Sequence, residues 1–336
     1  MTRSTARLLL PLGLTVLVFG TYSCVKSDGA TRPEGVSPLL VTLPGSVEDP
    51  PDNPSSAEKT DLGRRLFFER RLSRSGLTSC NTCHDLSNAG VDHLTRAIGE
   101  MVGQRNTPTI FNAALLSSHF ADGGEHSLEA LAKGLIQAHE HLDLTPDEAV
   151  ATLRAAGYAD AFQVAFPGEP DPLTFDNVGT AIAAFTRTLL TPNAPFDKYL
   201  NGDADALSAT QKRGLQLFQD NGCVACHSGP LLGGTLFTKF SHLQENGMSY
   251  DYGAFQVSGV PDDQFVFRVA PLRNVALTAP YFHNGSVQDL SEAVRIMGKA
   301  QLGFTLSDQD IADMVDFLNS LTGEFPVVEA PSVGMK

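Results

Sequence analysis

The chain has 336 residues, with 24 basic against 38 acidic side chains and a formal net charge of −14. That acidity argues against nucleic acid as a partner and permits attraction of a small basic protein. The length suits two domains. There is no tryptophan, and each of the five cysteines finds a role below without a disulfide.

The chain opens MTRSTARLLLPLGLTVLVFGTYSC. Arg3 and Arg7 form a basic start, and the apolar run that follows is too short to span a bilayer. Residues 1–23 therefore read as a signal peptide. Its end, "TYSC", resembles a bacterial lipoprotein cleavage site, in which Cys24 becomes the lipidated first residue. Thr21 stands where Leu is usual, so the alternative is cleavage nearby and a soluble periplasmic protein. Both readings place the chain in the periplasm, either free or as a membrane-anchored lipoprotein. Residues 24–55 are rich in Pro, Gly, Ser and Asp and read as a flexible tether.

Two stretches then repeat one another: "LGRRLFFERRLSRSGLTSCNTCH" and "RGLQLFQDNGCVACH". They align Gly63 with Gly214, Leu66 with Leu217 and Phe67 with Phe218. Each begins as a short amphipathic helix with a plausible N-cap, Ser56 or Ser208. Each ends in C-x-x-C-H, as Cys80, Cys83, His84 and as Cys223, Cys226, His227. That spacing attaches a c-type haem: two thiols bond the porphyrin vinyl groups, and the next imidazole becomes the proximal iron ligand. The competing readings are a structural zinc site or a redox dithiol. Zinc requires four ligands without a fixed His after the second Cys, and dithiol pairs are not normally duplicated with His in the same slot.

Each half also closes with a helix. One carries Val178, Ile182, Phe185 and Leu189 on a stripe. The other carries Ile311, Met314, Phe317, Leu318 and Leu321, capped by Ser307 and stopped near Gly323. The expected fold is mainly α: two cytochrome c-like domains, 56–200 and 201–326, each around one covalent c-type haem, followed by a tail, 327–336.

Several stretches together resemble the bacterial di-haem cytochrome c peroxidases: "LGRRLFFERRLS", "CNTCH", "RNTPTIFNA", "TFDNVGTAIAAFTRTLLTPNAPFDKYL", "GCVACHSG", "FRVAPLRNVALTAPYFHNGSV" and "VRIMGKAQLG". The resemblance implies a peroxidase that reduces hydrogen peroxide to water. A small cytochrome c or cupredoxin would donate electrons to the C-terminal haem, ligated by His227 and Met297, and these pass to the N-terminal haem on His84. Met101 and Met248 are rivals of Met297, whereas Met314 reads as core. Family members often carry a second His opposite the N-terminal haem; here that position is Glu100, with His93 the nearby alternative. The peroxide-cleaving acid/base falls on Glu140 or, one residue on, His141, and Glu100 could join them. A family Gln corresponds to Leu131. A Trp between the haems corresponds to Ala121, which excludes a Trp-radical route. The resemblance further implies Ca²⁺ held by Asn106, Thr278 and Pro280, His283 supporting the C-terminal haem pocket, and homodimer formation. His119, His126, His139 and His242 read as structural or solvated. The alternatives are a relative that oxidises a partner protein and a di-haem electron carrier without catalysis.

Overall fold

Two helix pairs built on the same plan organise the molecule. The computed structural model describes residues 32–240 and 251–331. In chain order the helices among them are α1 (Ala57–Phe67), α2 (Cys80–Cys83), α3 (Leu128–Gln137), α4 (Pro146–Ala155), α5 (Ala159–Ala165), α6 (Phe175–Thr186), α7 (Pro195–Leu200), α8 (Ala209–Asp220), α9 (Phe255–Ser258), α10 (Leu290–Met297) and α11 (Asp308–Asn319). The strands β1 (Phe237–Lys239) and β2 (Val266–Arg268) pair antiparallel. The fold is mainly α, as the sequence implies.

Hydroxyl caps start the framing helices. Ser56 accepts from Lys59 N at α1, Ser208 from Gln211 N at α8, and Ser307 from Asp310 N at α11. Each cap satisfies a backbone donor that the first turn would leave unpaired. The repeat then acquires a physical meaning. A Cβ on Gly63 of α1 would stand 1.9 Å from the Ala181 carbonyl oxygen of α6. A Cβ on Gly214 of α8 would stand 1.9 Å from that of Asp313 in α11. Glycine at these two positions lets the first and last helices of each half cross backbone to backbone. One turn on, Phe67 meets Phe185 edge-on at 5.4 Å and Phe218 meets Phe317 at 5.3 Å.

The N-terminal core gathers Leu62, Leu66, Leu153, Phe162, Val178 and Ile182 around α1, α4, α5 and α6. The C-terminal core gathers Leu215, Phe218, Ile311, Met314 and Phe317, with Phe196 and Leu200 of α7. By packing, α7 thus belongs to the second core, although a boundary at 200 assigns it to the first half.

The tether differs from expectation over residues 36–43. Leu40 is fully buried in the C-terminal core, Gly229 N donates to Leu39 O at 2.8 Å, and Ser37 N donates to the Gln219 side chain at 2.6 Å. Leu43 N and Arg273 Nη2 both donate to Asp197 Oδ1, at 3.0 and 2.7 Å. Leu40 and Leu43, both buried, outweigh the Pro/Gly composition that suggests flexibility. Conversely, the tail returns to the N-terminal half, where Phe325 packs edge-on against Phe111 at 4.8 Å. Each half is strapped by the other's terminus.

Thr191 joins the halves. Its Oγ1 accepts from Asn112 Nδ2 at 2.8 Å and from Asn274 Nδ2 at 2.9 Å. Asn112 in turn accepts from Thr191 N, and Asn274 from Gly323 N. All three side chains are buried. We expect Thr191→Val to destabilise the holoprotein by about 1–3 kcal/mol for each amide left unsatisfied. Calorimetry should show the single unfolding transition separating into two.

Candidate functional site

The first C-x-x-C-H turn is shaped by Ser79, whose N donates to Thr82 Oγ1 at 2.9 Å, and by His84 N donating to Cys80 O at 2.9 Å. His84 Nδ1 faces the Gly90 carbonyl at 3.4 Å. In the second turn His227 N donates to Cys223 O at 2.9 Å, and His227 Nδ1 faces the Leu232 carbonyl at 3.1 Å. Burial pushes both imidazoles below their ordinary pKa, so both are neutral. A neutral ring whose Nδ1–H is spent on a carbonyl presents Nε2 as a lone pair, the state a metal ligand needs.

The thiols are unbridged. Burial pushes Cys80 up to about 12 and both Cys83 and Cys223 up to about 11. That is the reverse of a redox dithiol, whose nucleophilic thiol is depressed. Among the described residues no group of three or more His, Cys, Asp or Glu side chains is placed to hold a metal ion. Two unbridged thiols followed by an imidazole with a free Nε2 fit a covalent haem at each turn. A further buried polar atom fits as well: Nη1 of Arg268 has no hydrogen-bond partner among the described residues.

Around His84 the structure brings together two loops that are forty residues apart in sequence. Glu100 N donates to His141 O at 2.9 Å, and Met101 N approaches Glu140 O at 3.5 Å. Gly99 permits this meeting, because a Cβ there would stand 2.4 Å from Glu140 O. Cys83 Sγ reaches Ile98 O of the same loop at 3.6 Å. His141 is half-buried and close enough for its charge to act on His84, whereas Glu140 is exposed. The Glu100 carboxylate accepts from Ser75 Oγ at 2.6 Å. His93 turns elsewhere, with Nδ1 2.6 Å from Ala279 O. His139 is exposed and sits 3.1 Å from Asp143.

On the C-terminal side, Met297 ends α10, and the backbone continues as a π-helical turn over Gly298–Leu302. Such turns recur at functional sites. Met297 packs with Phe240, Phe267, Phe282 and Ala121. His283 stacks on Phe267 with ring centroids 4.0 Å apart, and burial lowers its pKa to about 4. Asn106 donates through Nδ2 to Pro280 O at 2.5 Å and through its backbone N to His283 O at 2.8 Å. Thr278 Oγ1 is engaged with Val275 O at 3.3 Å, so its hydroxyl is not joined directly to Asn106. Leu131 is half-buried beside Ala113 and Leu128. Cys24, His242 and Met248 lie outside the described residues.

Sequence reasoning missed Arg105. Its guanidinium grips Asp251 with Nε at 2.7 Å and Nη2 at 2.8 Å, and pairs with Asp122 through Nη1 at 2.6 Å. It also missed Ser75 and Arg268. Their partners are remote along the chain, so no local spacing signals them.

Two helical domains, each with a thioether-type haem anchor, define a di-haem c-type cytochrome. A family model described as di-haem cytochrome c peroxidase matches residues 57–205, and one for cytochrome c matches residues 211–322. The chain is 44% identical to the cytochrome c551 peroxidase of Pseudomonas aeruginosa over 330 residues, 96% of this chain and 94% of that one. It is 36% identical to the methylamine utilization protein MauG of Methylorubrum extorquens, over 86% of this chain and 85% of the relative. A crystal structure of a MauG-like protein associated with microbial copper homeostasis matches at TM-score 0.75 and 29% identity, covering 88% of this chain and 96% of that one. The chain belongs to the di-haem cytochrome c peroxidase family, and it is an oxidoreductase carrying two c-type haems.

The Arg105 grip has a pH signature. Burial alone would raise the Asp251 carboxyl, but the Arg105 hydrogen bonds and charge outweigh it, so the net shift is downward. A depressed carboxyl contributes its full stability above the unfolded value of about 3.9 and loses it as pH falls through the lower folded value. We expect Asp251→Asn to lower the melting temperature near neutral pH. The difference from wild type should shrink on acidification below about pH 4, as followed by thermal unfolding across pH.

Proposed function

We propose that peroxide is cleaved at the haem held by Cys80, Cys83 and His84, and that electrons enter through the haem held by Cys223, Cys226, His227 and Met297. The net reaction is H₂O₂ + 2 e⁻ + 2 H⁺ → 2 H₂O. Haem held by Cys80, Cys83 and His84 would supply the redox chemistry that breaks the O–O bond. The chain supplies orientation and protons. His84 and His227 stay neutral, each oriented by its backbone carbonyl. The thioether of Met297 favours the reduced state of its centre.

The observation that carries the assignment is the junction of residues 98–101 with 140–141 beside His84. It supports a site in which His141 and Glu140 stand next to the anchor, with Glu100 at the position where the family resemblance expects a blocking imidazole. The Glu100 carboxylate is tied to Ser75 Oγ, which supports a His84 centre left open to peroxide. Between the two acid/base candidates, half-buried His141 is favoured over exposed Glu140. An imidazole can take a proton from one peroxide oxygen and return it to the other.

The same reading extends to the surroundings. The Asn106–Pro280 contact supports a Ca²⁺ position at the junction of the halves, with Asn106, Thr278 and Pro280 as oxygen donors. The acidic surface suits a small basic donor such as a cytochrome c, with a cupredoxin as the other class of donor. A periplasmic location, a lipid on Cys24 and homodimer formation complete the proposal. Among the described residues no helix is long and apolar enough to cross a membrane.

Steady-state peroxidase assays test the assignment. His141→Ala should lower kcat by about 10²–10⁴-fold with haem content and donor KM unchanged, while Glu140→Gln stays within a few-fold of wild type. The opposite ranking would transfer the proton role to Glu140. Full activity in both variants would refute the site.

A further inference from the structure

Arg268 ends β2 and is pinned to the segment that crosses it. Its backbone N donates to Ala121 O at 2.8 Å, and Nε donates to Phe120 O at 3.3 Å. Its Nη1 is buried and has no hydrogen-bond partner among the described residues. The same segment contributes a second orphan, the buried hydroxyl of Ser118.

The electrostatics of this corner do not close within the chain. Burial pushes the Arg268 guanidinium down to about 10, and only Asp122 acts the other way. Asp122 is already paired with Arg105 at 2.6 Å. His119, on the same crossing segment, is itself held low, at about 4, by burial and by Arg268. A partly buried cation without its own anion is unfavourable, and so is a buried donor without an acceptor. Both costs disappear if an anionic oxygen ligand sits against Nη1. The two propionate carboxylates of a haem are such anions.

The strand identifies which haem. Phe267, one residue before Arg268, packs in the cluster that holds Met297. Ala270, two residues after it, turns its carbonyl toward His227. β2 therefore runs along the C-terminal haem site.

We propose that Arg268 is a positioning residue for the haem anchored at Cys223, Cys226 and His227. Its Nη1 binds a propionate of that haem, with the Ser118 hydroxyl as a second donor. The inference rests on the reading of that turn as a haem anchor. Its consequence is electrochemical. A fixed cation beside the carboxylate keeps the propionate ionised and disfavours the extra positive charge of the ferric state. It should hold the midpoint potential of the electron-entry centre high and insensitive to pH near neutrality.

The test is a spectroelectrochemical titration of the holoprotein, wild type, Arg268→Gln and Arg268→Lys, from about pH 6 to about pH 8. In wild type the His227 centre should show a flat midpoint. In Arg268→Gln it should fall, and should fall further as pH rises, because the unpaired propionate now titrates in that range. Arg268→Lys should keep most of the potential and the flat profile. An Arg268→Gln centre that matches wild type in both respects overturns the proposal, as does a shift confined to the His84 centre. If Arg268→Gln does not load with haem, the wild-type profile decides: a wild-type midpoint that already drops with pH is equally fatal. Mapping haem-bearing peptides separates this from the reading beneath it, since a C-terminal anchor peptide without covalent haem removes that reading instead.

Discussion

The molecule depends on one buried hydroxyl. Thr191 stands between α6 and α7, and its oxygen accepts from Asn112 on one side and Asn274 on the other. These asparagines occupy equivalent places. Each follows the segment after its haem anchor, each has a positive φ, 64° and 62°, and each returns a backbone bond to the end of its domain's closing helix, at Leu189 and Leu321. Buried amides demand partners, so the distance between the halves is set by hydrogen bonds, not by apolar contact alone. The crossed termini reinforce it, with Leu40 in the C-terminal core and Phe325 against Phe111. A protein that moves electrons between two centres needs a fixed separation, and this node fixes it.

Around that frame each half repeats one solution and then departs from it. The shared part is the glycine-mediated helix crossing, the aromatic pair beneath it, and a turn that points an imidazole with a free Nε2. The departures carry the function. In the N-terminal half, the 98–101 loop folds onto 140–141 beside the anchor. In the C-terminal half, the α10 terminus brings Met297 into an aromatic cluster with Phe240, Phe267 and Phe282. Ala121, from the N-terminal half, packs into that same cluster. The two halves therefore share an aromatic wall in a chain that has no tryptophan.

Much of this was legible in the sequence, for identifiable reasons. The mainly helical fold, its cytochrome c-like halves and the family follow from short-range signals: the duplicated C-x-x-C-H, the serine caps, the 3.6-residue apolar stripes, and Gly63 aligned with Gly214. Each states a local requirement that few residue types satisfy. The strap at residues 36–43 was not legible, because Pro/Gly-rich composition describes an isolated segment and Leu40 finds its core only through the second half. The choice between Glu140 and His141 was open by one position in register; it turns on which residue is half-buried beside His84, a tertiary property. Arg105 with Asp251, and Arg268 with its empty Nη1, connect residues too far apart for any periodicity to register.

The most direct measurement of the central claim, that the His84 centre is open to peroxide without prior reduction, is the EPR spectrum of the fully oxidised holoprotein before and after a single equivalent of peroxide. The account predicts a high-spin ferric signal that disappears on adding peroxide, beside a low-spin signal from the His227/Met297 centre. Two low-spin signals indifferent to peroxide would contradict it, and would mean that a side chain such as His93 or His141 already occupies the position opposite His84.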